Sequence, residues 1–233
     1  FLSSHAYCGG EQDTADASFA VTDNDGRVGV ITKAGYTTDK IPSFNTEWNS
    51  SYSGQGGSTA ANVMSMDKHS NAPFIIKTVK LMADKTVGDK PAAPIFSYWA
   101  MSDVFDEYGG APLGSYILGK TADGTLPFGS VFGLVTFQGM RKAAFNGFKM
   151  LNYLGEKRLG VTGGTGTKDG VDGMAAMSAD GSQVQIIVYN YYATVATTGT
   201  DNVTVTVDNL PFAGKEAYIT RFAVDEKTSN PYT

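Results

Sequence analysis

Residues 43–49, Ser43-Phe44-Asn45-Thr46-Glu47-Trp48-Asn49, carry the reading of the fold. Ser43 to Glu47 is a β-like run, preceded by another from Phe1 to Tyr7. It is followed by a helical stretch opened by Asn71 and Pro73, with Ile75, Ile76, Val79 and Met82 recurring on its inner side. A further run, Ile95 to Ala100, leads into a long Gly-rich loop. Arg141 to Leu154 then spaces Ala144, Phe145, Phe148, Leu151 and Leu154 as a helix does, with Gly155 as its stop. Alternating β and α segments, with helices long enough to cross over, imply a parallel sheet or barrel.

The composition changes near residue 156. Gly160 to Gly173 is rich in Gly, Thr and Asp and reads as a surface loop or linker. Val184 to Tyr191, Val203 to Val207 and Ala217 to Val224 then gather β-formers between polar loops. Val203, Val205 and Val207 fall on one face, the pattern of a sheet with one buried side, so a small antiparallel β-sandwich is expected. The expected division is residues 1–155 for the α/β part and 156–233 for the sandwich.

Composition narrows the function. The chain has 233 residues, 42% of them hydrophobic and 12% aromatic, enough for a packed core. Its net charge of −5 is spread without basic blocks, which leaves no footprint for nucleic acid and no polybasic membrane patch. No apolar run approaches the ~20 residues of a membrane span. One cysteine, Cys8, excludes an internal disulfide framework. The first residues, Phe1-Leu2-Ser3-Ser4-His5-Ala6-Tyr7, form a strand-like run with no initiator methionine, and the last are Ser229-Asn230-Pro231-Tyr232-Thr233. Both ends suggest an interior piece of a longer polypeptide.

Both tryptophans stand beside carboxylates, in Glu47-Trp48 and in Trp99 with the following Asp103, Asp106 and Glu107. A carboxylate next to a flat apolar ring is how a sugar-cleaving site combines charge with a wall for a pyranose. Asp23-Asn24-Asp25-Gly26 resembles half a calcium loop, but Val21 takes the first ligand position, so a turn is expected there. Two histidines and one cysteine, far apart, offer no zinc constellation; neither a metal nor a cofactor is expected. Asn49-Ser50-Ser51 and Asn202-Val203-Thr204 fit the glycosylation pattern, and a glycan on Asn49 would obstruct the proposed cleft.

Six motifs in order carry a family resemblance: Ser4-His5-Ala6-Tyr7, Thr46-Glu47-Trp48-Asn49-Ser50, Tyr98-Trp99 with Ser102-Asp103-Val104-Phe105-Asp106-Glu107, Phe132-Gly133-Leu134 with Gly139-Met140-Arg141-Lys142, Val188-Tyr189-Asn190-Tyr191, and Ser229-Asn230. Together they resemble glycoside hydrolase family 39, above all its bacterial-type β-xylosidases. The match weakens in residues 8–40 and 156–180. The resemblance implies the C-terminal strands and helices of a (β/α)8 TIM barrel followed by an antiparallel β-sandwich. Phe1 to Tyr7 would be strand six, Ser43 to Glu47 strand seven and Ile95 to Trp99 strand eight. A whole barrel takes ~250 residues, so the first five strands, and the acid/base glutamate after strand four, would lie upstream.

Retaining glycosidases need one carboxylate to attack the anomeric carbon and a second carboxyl group ~5 Å away to protonate the leaving oxygen. The resemblance makes Glu47 the nucleophile. It makes Trp99 a sugar wall and gives Asp106 and Glu107 sugar hydroxyls to bind, with Glu107 favoured because Asp106 is one methylene shorter than the family's usual glutamate. His5 and Tyr7 alternate on one strand and so share a face. There His5 can donate to a sugar hydroxyl and Tyr7 to the nucleophile.

The function implied is a retaining, exo-acting β-xylosidase of xylan degradation, working on small xylo-oligosaccharides by double displacement. Its partner in the fold is the missing N-terminal half of the barrel, and this chain alone is expected to be inactive for want of the acid/base Glu. Two other readings stay open: a non-catalytic carbohydrate-binding or scaffold protein of the same fold, and a member acting on another β-linked sugar. A homo-oligomer is also left open. Low charge and abundant Gly, Ser and Thr point to a secreted or periplasmic site, while a single cysteine is ordinary in a cytosolic protein too.

Overall fold

The computed structural model describes residues 1–8, 16–50, 66–87, 90–103, 132–136, 138–167, 169–193, 200–212 and 214–231. The elements in chain order are β1 (Leu2–Tyr7), α1 (Phe19–Lys33), β2 (Ser43–Asn49), α2 (Asn71–Asp84), β3 (Thr86–Val87), β4 (Lys90–Pro91), β5 (Ile95–Tyr98), α3 (Ala143–Asn152), β6 (Lys157–Leu159), β7 (Gly170–Met177) and β8 (Val184–Tyr191). β1, β2 and β5 form a parallel sheet in that order, with α1 and α2 crossing between successive neighbours.

Helix α2 shows why these segments fold as they do. Its apolar positions put Phe74, Ile75, Ile76 and Met82 inside, and Phe74 meets the ring of Trp48 at 6.2 Å between centroids. Trp48 is fully buried. It stacks on Phe96 at 4.6 Å and takes Tyr98 edge-on at 4.9 Å. Each such ring removed from water contributes roughly 1.5–3 kcal/mol. Trp48 is therefore part of the core, and of the two tryptophans it is Trp99 that reaches solvent, with 36% of its surface exposed.

The expected turn at Asp23-Asn24-Asp25-Gly26 lies in the middle of α1. The inner face of α1 is Ala20, Asn24, Arg27 and Ile31, spaced as a helix requires but half polar. Arg27 Nε donates to Ser43 Oγ at 2.8 Å, and Ser43 Oγ donates to Asn24 Oδ1 at 3.1 Å. Arg27 also bonds Ser4 Oγ and Asp23. The helix is thus pinned by hydrogen bonds to Ser4 of β1 and Ser43 of β2, where an apolar stripe would ordinarily do the work.

Helix α3 begins two residues later than Arg141, because Lys142 keeps an extended backbone, φ −76° and ψ 168°, while its side chain enters a buried ion cluster. Its end is set by Tyr153, and Gly155 has another use: a Cβ there would lie 2.4 Å from the Met177 carbonyl oxygen. β6, β7 and β8 form an antiparallel sheet, with β7 and β8 paired along eight residues. β7 starts at Gly170, inside the stretch expected as loop; a full ladder with β8 overrides the low strand preference of Gly and Asp. Val203 to Val207 and Ala217 to Val224, expected as strands, pair in no ladder among the described residues. Val203, Val205, Val207 and Phe222 are exposed, as are Tyr218 by 96% and Ile219 by 94%.

The antiparallel sheet shares its core with the parallel one: Met174, Ile187, Tyr189 and Tyr191 belong to the cluster of Trp48, Phe74 and Ile75. A polar knot backs this contact. Asp172 Oδ2 accepts from Lys80 Nζ at 3.0 Å and from the Tyr189 hydroxyl at 3.1 Å, with the buried Lys77 Nζ at 3.6 Å. Burial alone would raise the Asp172 pKa, but the Lys80 bond and the Gly173 N–H outweigh it and hold the carboxyl below its usual range. Among the described residues neither a closed barrel nor a second sheet facing β6-β7-β8 is present, and no helix is long and apolar enough to cross a membrane.

Candidate active site

The C-terminal ends of three parallel strands meet at Glu47. Pairing runs Ser4 with Asn45 and then His5 with Glu47, so Thr46 is passed over. On the other side, Asn45 pairs with Phe96 and Trp48 with Tyr98, so three steps of β2 span two of β5. β2 thus carries one extra residue at Thr46-Glu47 relative to both neighbours, a bulge. Bulges re-aim side chains, since a slip of one residue turns a strand's faces over.

The Glu47 carboxylate lies between the two expected residues of β1. Tyr7 donates its hydroxyl to Glu47 Oε1, and His5 Nδ1 is 3.3 Å from Oε2. The Glu47 side chain is 20% exposed and that of His5 59%. The carboxylate is thus held from one side and open to a ligand from the other, which is what an attacking group needs.

Trp99 follows β5 directly. Its N–H donates to the Trp48 carbonyl at 2.9 Å, and its own carbonyl accepts from Asn49 Nδ2. The next residues zip to 132–135: Ala100 N donates to Phe132 O at 3.2 Å, Leu134 N to Ala100 O at 2.9 Å and Asp103 N to Val135 O at 3.0 Å. The Phe132 ring meets that of Tyr7 edge-on at 5.9 Å. This segment joins Trp99 to Tyr7, the donor to Glu47. Asp106 and Glu107 lie outside the described residues.

Past Trp99 along the chain, Asp103 joins an ion cluster: Lys142 Nζ is 2.7 Å from Asp103 Oδ1 and 2.6 Å from Asp67 Oδ1, all three side chains fully buried. Asp103 also accepts from the Gly133 N–H at 2.9 Å. Burial, aided by the charge on Asp67 and opposed by Lys142, pushes the Asp103 carboxyl up to about 6. Burial would lower the Lys142 pKa, and the two carboxylates outweigh it and raise it. Gly133 is obligatory here, since a Cβ would lie 2.1 Å from Asp103 N.

The structure therefore brings His5, Tyr7 and Glu47 into contact and bonds the Trp99 main chain to Trp48 and Asn49, on the strand end that carries Glu47. Two features were not legible in the sequence. The bulge has no signature in Asn45-Thr46-Glu47, and nothing in the sequence marks the bonds of Asn49 to Trp99, Phe132 and Tyr98. Asn49 is buried, which leaves its glycosylation pattern without an accessible acceptor. Among the described residues no group of three or more His, Cys, Asp and Glu is arranged to hold a metal.

Comparison with known proteins yields related matches. The family profile described as glycosyl hydrolases family 39 matches residues 1–233. A beta-xylosidase of Caldicellulosiruptor saccharolyticus is 23% identical over 241 residues, which covers 99% of this chain and 42% of that protein. The crystal structure of a GH39 enzyme from Xanthomonas axonopodis pv. citri is similar with a TM-score of 0.56 at 21% identity, covering 94% of this chain and 36% of the other. A monomeric beta-xylosidase from Caulobacter crescentus CB15 is similar with a TM-score of 0.51 at 22% identity, covering 77% and 31%. The structural likeness gives an α/β fold related to the TIM barrel. The chain spans less than half the length of these relatives.

Proposed function

This chain belongs to glycosyl hydrolases family 39, and from that premise we propose that it supplies the nucleophile side of a retaining, exo-acting β-xylosidase. The observation that carries the reading is Glu47 at a strand's C-terminal end, with Tyr7 bonded to one oxygen and His5 3.3 Å from the other. In this proposal Glu47 Oε attacks the anomeric carbon of a terminal xylose as the bond to the leaving oxygen breaks. The second carboxyl group, contributed by the part of the relatives' length that this chain does not span, gives that oxygen its proton. Water deprotonated by the same group then attacks the glycosyl ester, releasing xylose and Glu47.

Tyr7 stabilises the carboxylate before attack and as it departs, because a bond to a charged acceptor is stronger than one to a neutral acceptor. Trp99 carries the apolar face of the sugar, and Asp106 and Glu107 its hydroxyls. Residues 1–155 are proposed as the last three strands and helices of the barrel, residues 156–233 as the accessory β-sandwich. The change from the parallel β1-β2-β5 sheet to the antiparallel β6-β7-β8 sheet supports that division. The chain alone is proposed to lack glycosidase activity, since an unassisted leaving group loses ~10² to 10⁴ in rate.

The test is hydrolysis of xylobiose by the full-length protein, followed by proton NMR of the first product. β-Xylose formed first supports the reading; α-xylose first, or no turnover of any β-xyloside, contradicts it.

A further inference from the structure

We infer that Asn49 is a positioning residue for the sugar wall, acting through Trp99 and Phe132; this rests on the reading of Trp99 as that wall. Asn49 is completely buried, and both ends of its amide are in use. Nδ2 donates to the Trp99 carbonyl and, at 3.2 Å, to the Phe132 carbonyl. Oδ1 accepts from the Tyr98 hydroxyl at 3.1 Å and from Ser50 N at 2.6 Å. Tyr98 in turn accepts from Asn71 Nδ2 at 3.3 Å, and Asn71 donates to Met66 O at 3.2 Å. A relay of side-chain bonds thus runs from the start of α2 to the Trp99 main chain. Burial raises the Tyr98 pKa and keeps its hydroxyl a donor.

The chemistry of the amide is specific. Two carbonyls on one side need donors, while a hydroxyl and an N–H on the other need an acceptor, and a short amide alone supplies both. Aspartate would turn an acceptor toward the two carbonyls. Alanine would leave those carbonyls and the Tyr98 hydroxyl buried without this partner, at a cost that outweighs the loss of a single bond. The two bonds from Nδ2 end on the two residues that shape the cleft. Trp99 is partly exposed, and Phe132 sets its ring against Tyr7, the donor to Glu47. Freed of them, the main chain at Trp99 and Phe132 loses these anchors, so ground-state sugar binding suffers more than the chemistry at Glu47.

The experiment is steady-state kinetics of the full-length protein on an aryl β-xyloside. It compares Asn49→Ala, Asn49→Asp, Trp99→Ala and the double variant Trp99→Ala with Asn49→Ala, each with its melting temperature. The expected result is a KM raised about tenfold or more in both Asn49 variants, with kcat within a few-fold. The double variant should lie within about twofold of Trp99→Ala alone, because the two residues act as one unit. Tyr98→Phe, a milder cut in the same relay, should raise KM a few-fold and stands in where Asn49→Ala does not fold. A lowered melting temperature with unchanged KM, or effects that multiply in the double variant, would overturn the role of Asn49. If Trp99→Ala itself leaves KM unchanged, the wall assignment fails, and with it this inference.

Discussion

Glu47 stands opposite His5 because β2 carries one residue more than either neighbour. Were the pairing of Ser4 with Asn45 continued without a break, Thr46 would stand against His5. The bulge is thus the local device that directs the carboxylate toward Tyr7 and His5. Deleting Thr46 removes the bulge while Glu47 keeps its place opposite His5, so the loss measures what the bulge adds to the aim of the carboxylate, expected as a fall in kcat/KM of at least about tenfold. Thr46→Ala, which loses one long bond to the Ser4 carbonyl at 3.4 Å, should stay within a few-fold of the parent. Kinetics on the two variants compare the bulge directly with the threonine side chain.

Tyr7→Phe removes the hydroxyl that donates to Glu47 and leaves the ring against Phe132. A hydrogen bond to a charged group is worth roughly 1.5–3 kcal/mol, so kcat/KM should fall about 10- to 100-fold. The melting temperature should move by only a few degrees. An unchanged rate would detach Tyr7 from the chemistry.

The glycines divide sharply by surroundings. Gly133→Ala would drive a methyl group into Asp103 N at 2.1 Å and the Ser102 carbonyl carbon at 2.4 Å, both main chain. It should destabilise the protein by about 3 kcal/mol or more. Gly26→Ala and Gly29→Ala, inside α1 with nothing within 4 Å of the added carbon, should each stabilise by roughly 0.5–1 kcal/mol. Urea denaturation of the three variants separates the outcomes.

That contrast also marks what the sequence conveyed. Segments whose cores are built from their own apolar residues, such as Phe74-Ile75-Ile76 in α2 or Phe44 to Trp48 in β2, were recognisable from pattern. Helix α1 was not, because its inner face holds Asn24 and Arg27 and its stability comes from Ser4 and Ser43 on distant strands. β7 was hidden by Gly170, Asp172 and Gly173, which read as loop until β8 is laid beside them. Conversely, the valines of 203–207 look like a strand, yet a ladder needs a partner that no periodicity within the segment supplies. At the site, residue types were legible but the bulge and the bonds of Asn49 were not, since both depend on neighbours far along the chain.

The buried triad predicts a pH effect with a definite sign. Burial raises the Asp103 pKa from 3.8 to about 6, so folding favours its neutral form. Its contribution is therefore fully present below its ordinary value and is lost as pH rises through about 6. Stability should fall across that window by at most about 3 kcal/mol from this group. Asp103→Asn should flatten the slope, seen by urea denaturation at about pH 4.5 and about pH 7. Lys142→Met strands two buried carboxylates and should cost about 3–5 kcal/mol at neutral pH.

The central claim is that Glu47 forms the covalent bond to the sugar. The full-length protein is inactivated with a fluorinated, mechanism-based xyloside, and the label is located by peptide mapping. The label is predicted on Glu47, and Glu47→Ala should lose at least about a thousandfold in kcat and take up no label. A label on another carboxylate, or a Glu47→Ala variant that keeps most of its activity, would contradict the account.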